Sequence, residues 1–95
     1  MSMFNNYVIE YLGTFFFVFI LLSTESPLKV SIAIAIAILL GSYISSATFF
    51  NPLIPIIMAM ANKFPIYAII PYIVSETAGA FTALYVYTHL IVNKK

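Results

Sequence analysis

Two glutamates stand inside segments that are otherwise apolar, Glu10 in an N-terminal run and Glu76 in a C-terminal one. An acidic side chain at membrane depth costs about 2.5–3.5 kcal/mol even on insertion scales. A carboxylate kept there needs donors. Either it faces the protein interior and accepts hydrogen bonds from backbone amides or, for Glu10, it lies at the headgroups. Free amides are expected around Asn51, where Asn51-Pro52 opens a short apolar run. Asn suits an N-cap, and Pro suits the first helical position, where a missing N–H costs nothing. A helix beginning at membrane depth turns its positive dipole end and its free amides toward whatever passes. Glu10 and Glu76 are therefore expected to brace the loop around Asn51.

Nothing else composes a reactive set. Ser45 and Ser46 suggest hydrolysis, but the single histidine, His89, is remote in sequence, so nucleophile, base and orienter do not come together. With no cysteine, thiolate metal sites and disulfides are excluded. Tyr67, Tyr72, Tyr85 and Tyr87 fit an interfacial belt and packing better than a cofactor box. No catalytic residue, metal ligand or cofactor is expected, and the chain is not read as an enzyme.

Composition explains why these polar residues stand out. The chain is 63% hydrophobic and 7% charged, with a mean hydropathy of +1.07, far from the roughly 25% charged residues of soluble domains. A chain this short cannot bury so much apolar surface in water, so lipid is expected to cover the remainder. Four lysines face three glutamates with no arginine, which provides no basic stripe for nucleic acid. The first apolar run has no basic residue before it, and Glu10 interrupts it, so it reads as a retained helix rather than a signal peptide.

Three spans and one short element follow. The first span covers about residues 7–23 and ends in the polar turn 23–27. The second covers about 28–45. Its alternating Ser-Ile-Ala-Ile stretch has a strand-like period, but a lone strand would leave amides unpaired in hydrocarbon, so a helix is favoured. On that helix Ala33, Ala37 and Gly41 form a small-residue face for close packing. A loop and half-helix occupy about 46–61. At about 1.5 Å per residue the run from Asn51 reaches halfway across a bilayer, as a re-entrant element would. The third span covers about 67–92, with Pro71 near its start, followed by the tail Asn93-Lys94-Lys95. Residues 1–95 form one all-α, multi-pass integral membrane unit with no internal repeat.

Glu10-Tyr11-Leu12-Gly13-Thr14-Phe15-Phe16 is similar to the first helix of the major intrinsic proteins, the aquaporin and glycerol-channel family. Ser46-Ala47-Thr48-Phe49-Phe50-Asn51-Pro52-Leu53-Ile54 resembles that family's Ser-Gly-Ala-His-Phe-Asn-Pro-Ala-Val loop. Lys63-Phe64-Pro65 and the stretch from Pro71 to Ala80 look like its third-helix entry and Ala-Gln-x-x-Gly-Ala segment. The order and spacing of these motifs cover nearly the whole chain and resemble one half of such a channel. Gly13 and Gly79 fall in the matching segments and join the helix-packing set.

The resemblance implies that Asn51 donates its side-chain amide to a permeating molecule and that Pro52 meets a second half-helix at the pore centre. Glu10 would brace the loop, and backbone carbonyls of Ala47, Thr48, Phe49 and Phe50 would line the pore. The chain departs from the family pattern at Ala47, Phe49, Leu53 and Glu76, and it lacks the filter arginine, with Ile54 at the nearest equivalent position. Family members carry two inverted halves, so an antiparallel homodimer or another homo-oligomer, or a separate second-half subunit, is the expected partner. Lys63 would face inside and Lys29, Lys94 and Lys95 outside, opposing the positive-inside rule and leaving dual insertion open. The expected function is passive conduction of water or small neutral solutes such as glycerol. The alternative is a structural or accessory membrane subunit that conducts nothing.

Overall fold

The computed structural model describes residues 3–93. Lys94 and Lys95, assigned by sequence to an outward-facing tail, lie outside them. The described residues are helical, with no strand among them. Helix α1 runs Met3–Ser23, α2 Pro27–Gly41, α3 Leu53–Met60 and α4 Ile69–Tyr87. A 3₁₀ turn, Ile66–Ala68, leads into α4, and a π turn, Thr88–Val92, extends it.

Local chemistry sets these boundaries. Ser26 caps α2 by accepting the Lys29 amide at 3.2 Å, with Pro27 at the first turn. The alternating Ile-Ala stretch lies within α2, helical as the hydrocarbon argument requires. Helix α2 stops at Gly41 rather than near Ser45, because serines pull the chain out of the helix. Ser42 Oγ donates to the Leu39 carbonyl at 2.7 Å, and Ser45 Oγ donates to the Ala47 carbonyl at 2.8 Å. Helix α3 closes with a Schellman motif: Lys63 N–H bonds the Met58 carbonyl at 2.8 Å and Asn62 N–H the Ala59 carbonyl at 3.0 Å. Asn62 supplies the left-handed residue this needs, at φ 61.

Two helical stretches, Met3–Ser23 and Ile66–Val92, are long and apolar enough to cross a membrane, at 21 and 27 residues. Helix α2 has 15 residues, a rise of about 22 Å against roughly 30 Å of hydrocarbon. The sequence pattern gave α2 a full span, and the serine turn takes that length away.

Helices α1 and α4 share the most extensive helix contact and run parallel. Tyr7 meets Tyr72, Tyr11 meets Thr82 and Phe19 meets Tyr87. Gly79 is what lets them approach: a Cβ there would collide with the Tyr11 carbonyl and lie 3.1 Å from the Phe15 amide nitrogen. Helix α2 packs antiparallel on α1, with Gly41 near Ile9 and the opposite end near Ile20. Between α2 and α4 the chain doubles back. Ser46 lies beside Asn6, Phe50 beside Gly13, and Phe64 returns to Tyr72. At the turn-back, Ala59, Phe64, Ala68 and Tyr72 form a core, with Tyr7, Phe49 and Met58 against it.

The packing is inverted relative to a water-soluble domain. Asn6, Glu10, Thr14, Ser45 and Glu76 are buried, whereas Leu28, Ile70 and Phe81 are 69%, 73% and 66% exposed. Polar groups gather inside and large apolar groups cover the outside, the reverse of the usual partition in water.

Candidate functional site

The candidate site is the segment from Ser45 to Leu53, held by one face of α1. Asn6, Glu10 and Thr14 stand four residues apart and are all buried there. Asn6 clamps Ser46 twice: its Nδ2 donates to Ser46 Oγ at 2.8 Å and its Oδ1 accepts the Ser46 amide at 3.1 Å. One turn on, the Glu10 carboxylate accepts two consecutive amides, Phe49 at 2.9 Å on one oxygen and Phe50 at 2.8 Å on the other. Bonds to an ionised acceptor are about twice as strong as neutral ones, and these two hold the loop's deepest point. Tyr72, fully buried on α4, donates to the Ala47 carbonyl at 2.6 Å.

The clamp holds Phe50 in the left-handed region, at φ 58, a conformation that is a marked outlier for a bulky residue. Its ring inserts where Gly13 has no side chain. Gly41 is nearby, and a Cβ on it would lie 3.0 Å from Thr48 and from Ile9. Of the remaining small residues on α2, Ala33 is buried and Ala37 half-buried. They border open clefts of about 350 and 250 Å³ along the α1–α2 seam rather than a closed contact.

Asn51 and Pro52 are exposed at the start of α3. Helix α3 begins at Leu53, not at Asn51. Pro52 already has helical dihedrals, at φ −64 and ψ −22, and Asn51 Oδ1 accepts the Leu53 amide at 2.9 Å, so Asn51 still caps the first turn. That bond occupies its oxygen and leaves the amide nitrogen to face outward as a donor.

Glu76 is 2% exposed beside Glu10 and the Asn51 backbone, but neither of its oxygens closes a hydrogen bond of good geometry. One sequence expectation needs correction. The Ala47 carbonyl cannot belong to a solute-facing ladder, because Tyr72 and Ser45 both donate to it. Thr48 and Phe49 are half-buried and Phe50 is buried. The Phe49 ring packs on Phe64 and Tyr72, with centroids 5.3 and 5.6 Å away.

No known family, curated protein or solved structure matches this chain.

Sequence reasoning missed Asn6, Thr14 and Tyr72. The first two carried a readable signal: together with Glu10 they recur every fourth residue as polar positions in an apolar helix. Tyr72 had none, since an interfacial tyrosine and one that reaches a loop carbonyl look alike in sequence. His89 lies apart from the site, exposed, stacked on Tyr85 and bonded to its carbonyl at 2.9 Å.

Proposed function

We propose that this chain is an integral membrane protein forming one half of a passive channel for water or small neutral solutes such as glycerol, completed by a second copy or by a separate second half. The observation that carries this reading is the Glu10 clamp on Phe49 and Phe50. It fixes Asn51-Pro52, with an outward amide donor, beside the middle of α1. Irregular backbone at membrane depth is tolerated where it lines a cavity or is buried in protein. The segment 45–65 then acts as a re-entrant loop and α3 as its half-helix.

The apolar exterior agrees with a lipid setting, as do the two span-length helices. Helix α2 would complete a third span with the turn that follows it, at a modest mismatch cost. Three spans put the termini on opposite sides, so two copies inserted in opposite senses would generate an inverted pair. The facing starts of α3 would present positive dipole ends that favour dipolar solutes and repel cations and protons.

Stopped-flow shrinkage of proteoliposomes tests this. Wild type should shrink faster than empty vesicles, and Asn51→Ala and Asn51→Asp should each change the rate. Equal rates for all three proteins would remove the channel reading. One observation favours the non-conducting accessory subunit instead: Leu53, 62% exposed beside Asn51, stands where the resembled family has alanine and narrows the approach. Wild type no faster than empty vesicles is the result it expects.

A further inference from the structure

Two open clefts meet along the seam between α1 and α2. One, of about 350 Å³, opens at Ser23, Thr24 and Lys29, and the other, of about 250 Å³, reaches Ile9; Phe16 and Ile36 line both. Together they make a groove that follows α1 from Ser23 to Ile9, a rise of about 21 Å. That exceeds one leaflet, about 15 Å of hydrocarbon. The seam stays open because Ala33, Ala37 and Gly41 follow one another at four-residue spacing on α2 and leave the space beside them unfilled.

The polarity of the groove identifies what fills it. Its polar lining residues, Ser23, Thr24 and Lys29, stand together where α1 ends and α2 begins. From Phe16 to Ile9 the lining is apolar, and no residue bordering either cleft is acidic. Glu25 borders a separate cleft with Leu21 and Pro27. Water finds no hydrogen-bond partners along such a wall, and an unfilled apolar groove forfeits dispersion contacts that a hydrocarbon chain restores. At the polar end Thr24 Oγ1 accepts the Ser26 amide at 3.1 Å, which leaves its own hydrogen to donate. A second copy inserted in the opposite sense would bring the Asn6 end of α1 and the Ser42–Ser45 turn to Lys29. Neither offers an exposed carboxylate, since Glu10 is buried. The fitting occupant has an apolar chain and an anionic head.

We propose that this groove seats an anionic phospholipid, with one acyl chain between α1 and α2 and its phosphate at Lys29 and Thr24. The polar end lies where the first span ends, at headgroup level. Lys29 meets the phosphate as a point charge on a flexible stem. One lysine at the membrane surface favours an anionic over a zwitterionic headgroup by about fivefold. The inference rests on the membrane reading above and is independent of conduction.

The full chain reconstituted in phosphatidylcholine vesicles tests this with two photoreactive probes, a phosphatidylglycerol and a phosphatidylcholine carrying the same diazirine in one acyl chain. After irradiation and flotation, mass spectrometry maps the labelled residues. Phosphatidylglycerol should label Phe16 and Ile36 in excess over Ile70 and Phe81, which are exposed on α4, and about fivefold more than phosphatidylcholine does. Lys29→Gln should remove the headgroup preference, Lys63→Gln should leave it intact, and Ala37→Phe should block labelling by filling the groove. Should Ala37→Phe fail to incorporate, Lys29→Gln carries the test, because that side chain is exposed. Labelling spread evenly over the exposed apolar residues, equal labelling by the two probes, or a preference that survives Lys29→Gln overturns the proposal. So does a groove protected from both probes by a second copy. A chain that does not float with the vesicles removes the membrane reading and this one together, whereas a floating chain labelled in the groove that shrinks vesicles no faster than empty ones removes only conduction.

Discussion

The ring of Phe50 fills the space left by the missing side chain of Gly13, while the Phe50 backbone is held at φ 58 by the Glu10 carboxylate. The ring is the outer end of a side chain and would ordinarily swing aside. Here it is buried, and its own amide is tied down.

Gly13→Ala should therefore destabilise the protein. A helix-interior Gly→Ala change normally gains about 0.8–1.0 kcal/mol, but overpacking against a buried ring costs about 1–3 kcal/mol. The clash should win, lowering Tm in detergent. Adding Phe50→Leu should recover part of the loss, so a double-mutant cycle should give a clear coupling energy. Additive effects would mean that the ring is free to move.

Glu10→Gln keeps the shape of the clamp and removes one of its two acceptors. One of the Phe49 and Phe50 amides would then face an NH₂ group in a buried site. A buried donor left unsatisfied costs about 1–3 kcal/mol. The predicted signature is local as well as global: amide exchange at Phe49 and Phe50 should accelerate more than exchange within α4. Uniform acceleration would show that the clamp is not a separate unit.

How much of this was legible depends on the physics behind each residue. Glu10 and Asn51-Pro52 were readable because a charge in an apolar run and a helix-start pair are local signals with few explanations. Glu76 has the same local signature as Glu10, and which carboxylate receives the Phe49 and Phe50 amides depends on how α1 and α4 face the loop. The end of α2 was missed by four residues, since Ser42 and Ser45 leave the helix through bonds to Leu39 and Ala47 that hydropathy does not register. The small-residue face at Ala33 and Ala37 was visible, but the close helix contact formed at Gly79, which entered the packing set only through the family resemblance although Ser75 and Ala83 flank it at four-residue spacing.

Gly79→Ala and Gly41→Ala separate two kinds of crowding. At Gly79 the added methyl meets the Tyr11 carbonyl, which belongs to a helix backbone and cannot rotate away. At Gly41 it meets methyl groups of Ile9 and Thr48 at 3.0 Å, which can give by a few tenths of an ångström. Gly79→Ala should lower Tm more and should break the 2.8 Å bond from Tyr11 to Thr82 by parting the helices. Tyr11→Phe on its own should cost about 0.5–1.5 kcal/mol. Equal losses at the two glycines would argue against the tight α1–α4 contact.

Glu76→Gln should stabilise the protein modestly. The wild-type carboxyl lies buried beside Glu10, and neither of its oxygens closes a hydrogen bond. Glutamine carries no charge and brings an NH₂ group next to Glu10, whose oxygens can each accept more than one bond. A hydrogen bond to a charged group is worth about 1.5–3 kcal/mol. Tm in detergent should therefore rise. A Glu76→Gln protein less stable than wild type would mean that the carboxyl already has a partner within the fold.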